Sequence, residues 1–200
     1  MGSSPQPLKP LMQQAIRMVE ELHTNRTEQP RPDRLRFLPM DPEPTTTTPS
    51  WLKPIANRDL AARVAFGLAL KTKAKVGYLA VGECSLHALM RMWLLAAGVE
   101  ASRILRGDVE EKDFPRLTSA AGKIACSGLT FSDQDVPKKK IQQATRKFIE
   151  NSQLEFLVVD DPDVETLRNP ELLPEQEHWR IRMEFREAVR GTSVMMILPG

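Results

Sequence analysis

Two short apolar runs, Val76-Gly-Tyr-Leu-Ala-Val81 and Leu154-Glu-Phe-Leu-Val-Val-Asp160, constrain this chain more than any other feature. Both are nearly continuous in apolar residues, a pattern that a strand requires only when both faces of its sheet are covered. Stretches with helical spacing lie between them, so the chain reads as α/β, a parallel sheet flanked by helices and joined by right-handed crossovers. Each run leads to a carboxylate, Glu83 after the first and Asp160 at the end of the second. Ligands of open α/β sheets bind beyond the carboxyl ends of the strands, which makes Glu83 and Asp160 the candidate pair. Each also reads as a plain strand end facing solvent, and Asp161 beside Asp160 is the kind of neighbour that ordinary turns carry.

The remaining elements follow from spacing and punctuation. A helix is expected from about Asp59 to Lys71, then the strand Val76 to Val81, then a helix capped by Ser85 and ended by Gly98. Further helices are expected near Phe114 to Ala125, Lys138 to Asn151 and Gln176 to Arg190, with strands at Leu129 to Ser132, Leu154 to Asp160 and Val194 to Leu198. No internal repeat is visible.

Residues 1–50 are different in kind. They hold nine of the sixteen prolines and the run Thr45-Thr-Thr-Thr48, the composition of an extended tether. Within them Leu8, Leu11, Met12, Ala15, Ile16, Val19 and Leu22 recur at helical spacing, with Gln13, Gln14, Arg17, Glu20 and Glu21 opposite. An amphipathic helix over about 8–24 is therefore expected outside the main domain of residues 51–200. Its stripe needs a cover, either another molecule or the chain's own domain, because so short a helix is marginal alone in water.

Composition narrows the function classes. Twenty-eight basic and 26 acidic residues give a net charge of +2, so binding to DNA has no support from charge. The cluster Lys138-Lys-Lys140 with Arg146 and Lys147 reads as a solvated helix face, or else as a patch for DNA or an acidic partner. Cys84 and Cys126 lack metal or redox spacing and sit in interior-looking contexts, which suits a reducing cytoplasm. No apolar run approaches the roughly 20 residues of a membrane span, and the first ten residues lack the pattern of a secretory signal. His23, His87 and His178 are too scattered for metal spacing and read as structural or surface residues. Trp93 falls on the stripe Leu86, Leu89, Met90, Trp93, Leu94 and reads as core.

Phosphate binding is the point at which the pattern breaks. The stretch Pro54-Ile-Ala-Asn-Arg-Asp-Leu60 ahead of the first domain helix has no glycine and no Lys-Ser/Thr pair. Arg58 could offer a positive charge there, but Asp59 would face phosphates with the wrong sign, and Asn57 or Asp59 also serves as an ordinary helix cap.

In their order, these pieces resemble the linker and RecA-like motor domain of the DnaB-type replicative DNA helicases. Pro7 to Leu22 is similar to the family's linker helix, and Ala65 to Lys71 with Val76 to Ser85 to the helix after the phosphate loop and the strand before the catalytic glutamate. Arg103-Ile-Leu-Arg-Gly-Asp-Val-Glu-Glu-Lys-Asp-Phe-Pro-Arg-Leu117 carries a glycine, acidic pair, aromatic and Arg-Leu like the family's, and Leu157-Val-Val-Asp160 is similar to its magnesium strand. The resemblance implies a RecA-like P-loop NTPase fold with Glu83 at the general-base position and Asp160 at the magnesium shell. Arg58 and Asp59 take the phosphate-loop positions, a degenerate Walker A site for ATP and Mg2+. It further implies a role in DNA replication, with residues 8–24 docking on a second copy or on a DnaB-type helicase. The family continues where this chain has Gly200 and carries a helical domain ahead of its linker, so the match is to a truncated relative. Two alternatives stay open: an ATP-dependent DNA helicase-type subunit completed in trans, and a RecA-like recombination or repair ATPase. The stretch Arg103 to Leu117 favours the helicase resemblance.

Overall fold

A computed structural model of the chain describes residues 7–24, 56–81, 84–134, 141–160 and 174–198. In chain order the elements are α1 (Leu8–Thr24), α2 (Ala56–Thr72), β1 (Val76–Val81), α3 (Ser85–Ala97), α4 (Ala101–Leu105) and α5 (Asp113–Ala125). They continue with β2 (Leu129–Gln134), α6 (Ile141–Ser152), β3 (Phe156–Val159), α7 (Pro174–Val189) and β4 (Met195–Ile197). Among the described residues all strand pairings are parallel, in the order β2-β1-β3-β4.

The apolar character of β1 on both faces has a direct cause: every one of its six residues is buried. Side chains alternate across the pleat, so Val76, Tyr78 and Ala80 enter one core while Leu79 and Val81 enter the other. The first core is filled from α1, α2, α3, α4 and α5, and Tyr78 meets Phe131 there at 5.4 Å between ring centroids. The second is filled by Phe148 and Ile149 of α6 and by Ile181 and Phe185 of α7. Gly77 is small for the same reason. A Cβ at this position would lie 2.3 Å from Leu154 Cδ1 and 2.9 Å from Phe148 Cε1, the side chains that close the second core beneath β1.

Connections obey handedness. The chain passes from β1 to β2 through α3, α4 and α5 on the first face, and from β2 to β3 and β3 to β4 in the opposite direction, with α6 and α7 on the second face. Opposite directions on opposite faces give these crossovers one common hand, which the strong right-handed preference of such units requires. The connections leave β1 and β3 in opposite directions, so the crevice between the carboxyl ends of these two neighbours is the topological switch point.

Three local expectations are refined. Ser85 is the first residue of α3 and Cys84 stands at the cap without a side-chain bond, whereas Gly98 closes the helix as expected, left-handed at φ 63°. Helix α4 escaped the sequence reading because five residues carry less than two turns of periodicity. Cys126 is exposed at the end of α5 rather than interior, and Trp93 is buried with its Nε1 donating to the Leu117 carbonyl at 2.8 Å.

Helix α1 is part of the first core. Leu11, Met12, Ala15 and Val19 are buried, Leu8, Ile16 and Leu22 pack beside them, and His23 meets Phe114 of α5 edge-on at 5.3 Å. The expected helix is present with its expected stripe, but the cover is the chain's own α3, α4 and α5. Docking inside the chain wins because it buries at least three large side chains, at about 1.5–3 kcal/mol each, without the entropy lost on association.

Candidate functional site

Arg58 and Asp160, more than a hundred residues apart in sequence, meet at the switch point. Helix α2 runs opposite to β1, which brings its first turn to the carboxyl end of the sheet, and the Arg58 guanidinium turns inward there. Arg58 Nη2 donates to the carbonyl of Val81, the last residue of β1, at 3.0 Å, and Nε stands 3.9 Å from Asp160 Oδ2. The other carboxylate oxygen, Asp160 Oδ1, accepts the Val81 N–H at 2.8 Å, and the Asp160 N–H donates to the Leu79 carbonyl at 3.1 Å. Asp160 is completely buried and Arg58 is 8% exposed.

This geometry explains both residue types. Val81 presents its N–H and C=O toward β3, where the backbone ladder has run out. The aspartate side chain extends that ladder by one acceptor and the arginine by one donor, which satisfies two backbone groups that would otherwise be buried unpaired. The two side chains then neutralise each other, as a buried carboxylate requires.

Helix α3 begins just after β1, and its His87 and Arg91, one turn apart, are both buried. Asp59 has its carboxyl pKa pushed up by burial, with the positive charges of Arg91 and Arg63 opposing the shift. Arg91 is not among the residues that the sequence singles out, and His87 reads there as one of three scattered histidines. The available signal was a lone cation inside Ala88-Leu-Met-Arg-Met-Trp-Leu94, an otherwise unbroken apolar run.

Of the four expected site residues, Arg58 and Asp160 are brought together, Asp59 lies beside them on α2, and Glu83 lies outside the described residues, as do Lys138 to Lys140 and Asp161. The described residues do not fit magnesium. The ion takes oxygen ligands at about 2.0–2.1 Å and keeps several waters, whereas Asp160 offers a dry carboxylate already holding the Val81 N–H and facing Arg58. Among the described residues no three His, Cys, Asp or Glu side chains group so as to hold a metal ion. For a triphosphate, Arg58 is committed to the Val81 carbonyl and Asp160, and Asp59 adds an acid.

The stretch Arg103 to Leu117 has its own structural logic. Arg103 Nη2 lies 2.9 Å from Asp113 Oδ2 and 2.7 Å from Glu110 Oε1, and donates to the Asp108 carbonyl at 3.1 Å. Gly107 supplies the left-handed turn, φ 68°, that folds these groups together. The Glu110 N–H donates to Asp113 Oδ2 at 3.1 Å, and this bond together with Arg103 holds the Asp113 carboxyl below the usual range.

The chain matches no protein-family model and no curated protein. Among the described residues no helix is long and apolar enough to cross a membrane.

Proposed function

We propose that this chain is a RecA-fold protein of the DnaB-helicase type whose nucleotide site is degenerate, serving DNA replication through protein contacts rather than ATP turnover. An all-parallel sheet with helices on both faces is the architecture such a domain needs. The observation that carries the reading is the Arg58–Asp160 clasp at the switch point. The position that would hold a phosphate instead holds a β1 carbonyl, and the position that would hold magnesium instead holds an arginine. A site so arranged stabilises the sheet and leaves little for a nucleotide to gain.

Titration with labelled ATP and a turnover assay test this. Binding is expected to stay weak, and hydrolysis at background, since removing single oxyanion-type donors costs about a hundredfold or more in rate. Saturable turnover that disappears in Glu83→Ala would overturn the proposal and promote a helicase-type subunit.

A further inference from the structure

Helix α3 starts without the cap that its backbone is shaped for. Cys84 precedes it in the extended conformation of an N-cap residue, φ −80° and ψ 152°. Its carbonyl accepts from the N–H groups of His87 and Ala88 at 3.0 and 3.2 Å, as an N-cap carbonyl should. A full cap also needs a side-chain oxygen, and Cys84 brings a thiol that makes no cap bond. The first turn holds no acidic residue, and among the described residues nothing accepts from the N–H groups of Ser85 and Leu86. The positive end of this 13-residue helix therefore meets no anion among the described residues.

A second observation lies beside the first. Ser85 is only 1% exposed, and its hydroxyl oxygen is sealed from water with no hydrogen-bond partner. Helical Cα–Cβ bonds tilt toward the N-terminus, so the hydroxyl of this first helical residue is carried to the same end as the open N–H groups. Buried polar groups are nearly always bonded, and a buried hydroxyl left over beside open N–H groups calls for an oxygen.

The chemistry of cysteine can supply that oxygen. In an aspartate cap the accepting oxygen stands one bond beyond Cγ; in a sulfenate it stands one bond beyond Sγ, the atom in the place of Cγ. We propose that Cys84 is a site of reversible oxidation by hydroperoxides, its sulfenate oxygen capping α3 through the Leu86 N–H and the Ser85 hydroxyl. The thiolate attacks one peroxide oxygen, so that an S–O bond forms as the O–O bond breaks. Sulfur gives up two electrons to the peroxide, and the departing hydroxide takes up a proton. A helix N-terminus favours the thiolate, which is the reacting form, and Cys84 is only half-buried. Small thiols return the sulfenate to the thiol by way of a mixed disulfide. The nucleotide reading is not involved, and an ATP titration of either outcome leaves this chemistry untouched.

Cys126 provides an internal reference, since it is exposed but follows the last turn of α5, where a helix offers carbonyls rather than N–H groups. A brief pulse of hydrogen peroxide on the full chain at pH 7, followed by dimedone and peptide mass spectrometry, reads the sulfenate at each cysteine. Cys84 should carry about tenfold more label than Cys126, because helix N-termini lower thiol pKa values by about one unit or more. Equal label on the two, or more on Cys126, overturns the proposal. Ser85→Ala removes one donor to the sulfenate and should bring the Cys84 label down toward that of Cys126; an unchanged label contradicts the geometry. Cys84→Asp puts the capping oxygen in place permanently and should raise the urea midpoint above that of the reduced wild-type chain. A midpoint equal to wild type or below it overturns the capping role.

Discussion

Replacing Arg58 by methionine keeps most of the aliphatic stem and removes the charge from a carboxylate with no access to water. At 3.9 Å and an effective dielectric constant near 20, the attraction between the two groups is about 4 kcal/mol. Desolvation offsets much of that in the intact pair, but the variant keeps the desolvation and loses the attraction. Breaking a buried pair from one side costs about 3–5 kcal/mol, a large share of the roughly 5–15 kcal/mol that holds a domain folded. Asp160→Asn should cost less, because an amide oxygen can still accept the Val81 N–H and Arg58 retains its bond to the Val81 carbonyl. The double variant Arg58→Met/Asp160→Asn should recover part of the loss, with a coupling of about 2 kcal/mol, within the range for contacting residues. Urea unfolding followed by the buried Trp93 and by circular dichroism measures all four corners of the cycle. A coupling under about 0.5 kcal/mol would refute the clasp, because distant, independent sites are additive to that level.

Four further outcomes follow from the same structure. Asp113 has a folded pKa below its ordinary 3.8, so its contribution is present above that value and disappears as pH falls through the folded pKa; Asp113→Asn should lower the urea midpoint at pH 7 and converge with wild type in strong acid, whereas an equal deficit at both would contradict it. Asp59 has the opposite sign, so the stability it contributes is lost as pH rises through its folded pKa; Asp59→Asn should unfold at an equal or higher midpoint at pH 7, and a clear drop there would count against the burial argument. Val19→Glu should release α1 and destabilise the whole domain, measured as faster proteolysis within 8–24 together with a lower midpoint, whereas an unchanged midpoint would mean that α1 packs elsewhere. Gly128→Ala should be destabilising beyond the usual loop substitution, since its Cβ would lie 2.3 Å from the Ala74 carbonyl oxygen beside the start of β1; a midpoint equal to wild type would show that the backbone there can give way.

The sequence by itself determined the strands and most helices of this protein, because their signals are local. An apolar run such as 76–81 can be satisfied only between two covered faces, and Gly98 ends α3 whatever lies around it. It also determined the stripe on 8–24, which follows from spacing alone. It did not determine what covers that stripe, since an apolar face is equally content against a partner or its own domain, and only the placement of α3, α4 and α5 decides between them. The candidate site divides in the same way. Asp160 was legible as an acid at a strand end and Arg58 as a cation near a helix start, but their pairing depends on α2 running back along β1 and on β3 lying next to β1. Neither fact is written in either residue's neighbourhood. Buried Arg91 stayed hidden because its partners come from other elements, and a charge inside an apolar run acquires meaning only when the fold shows what it faces.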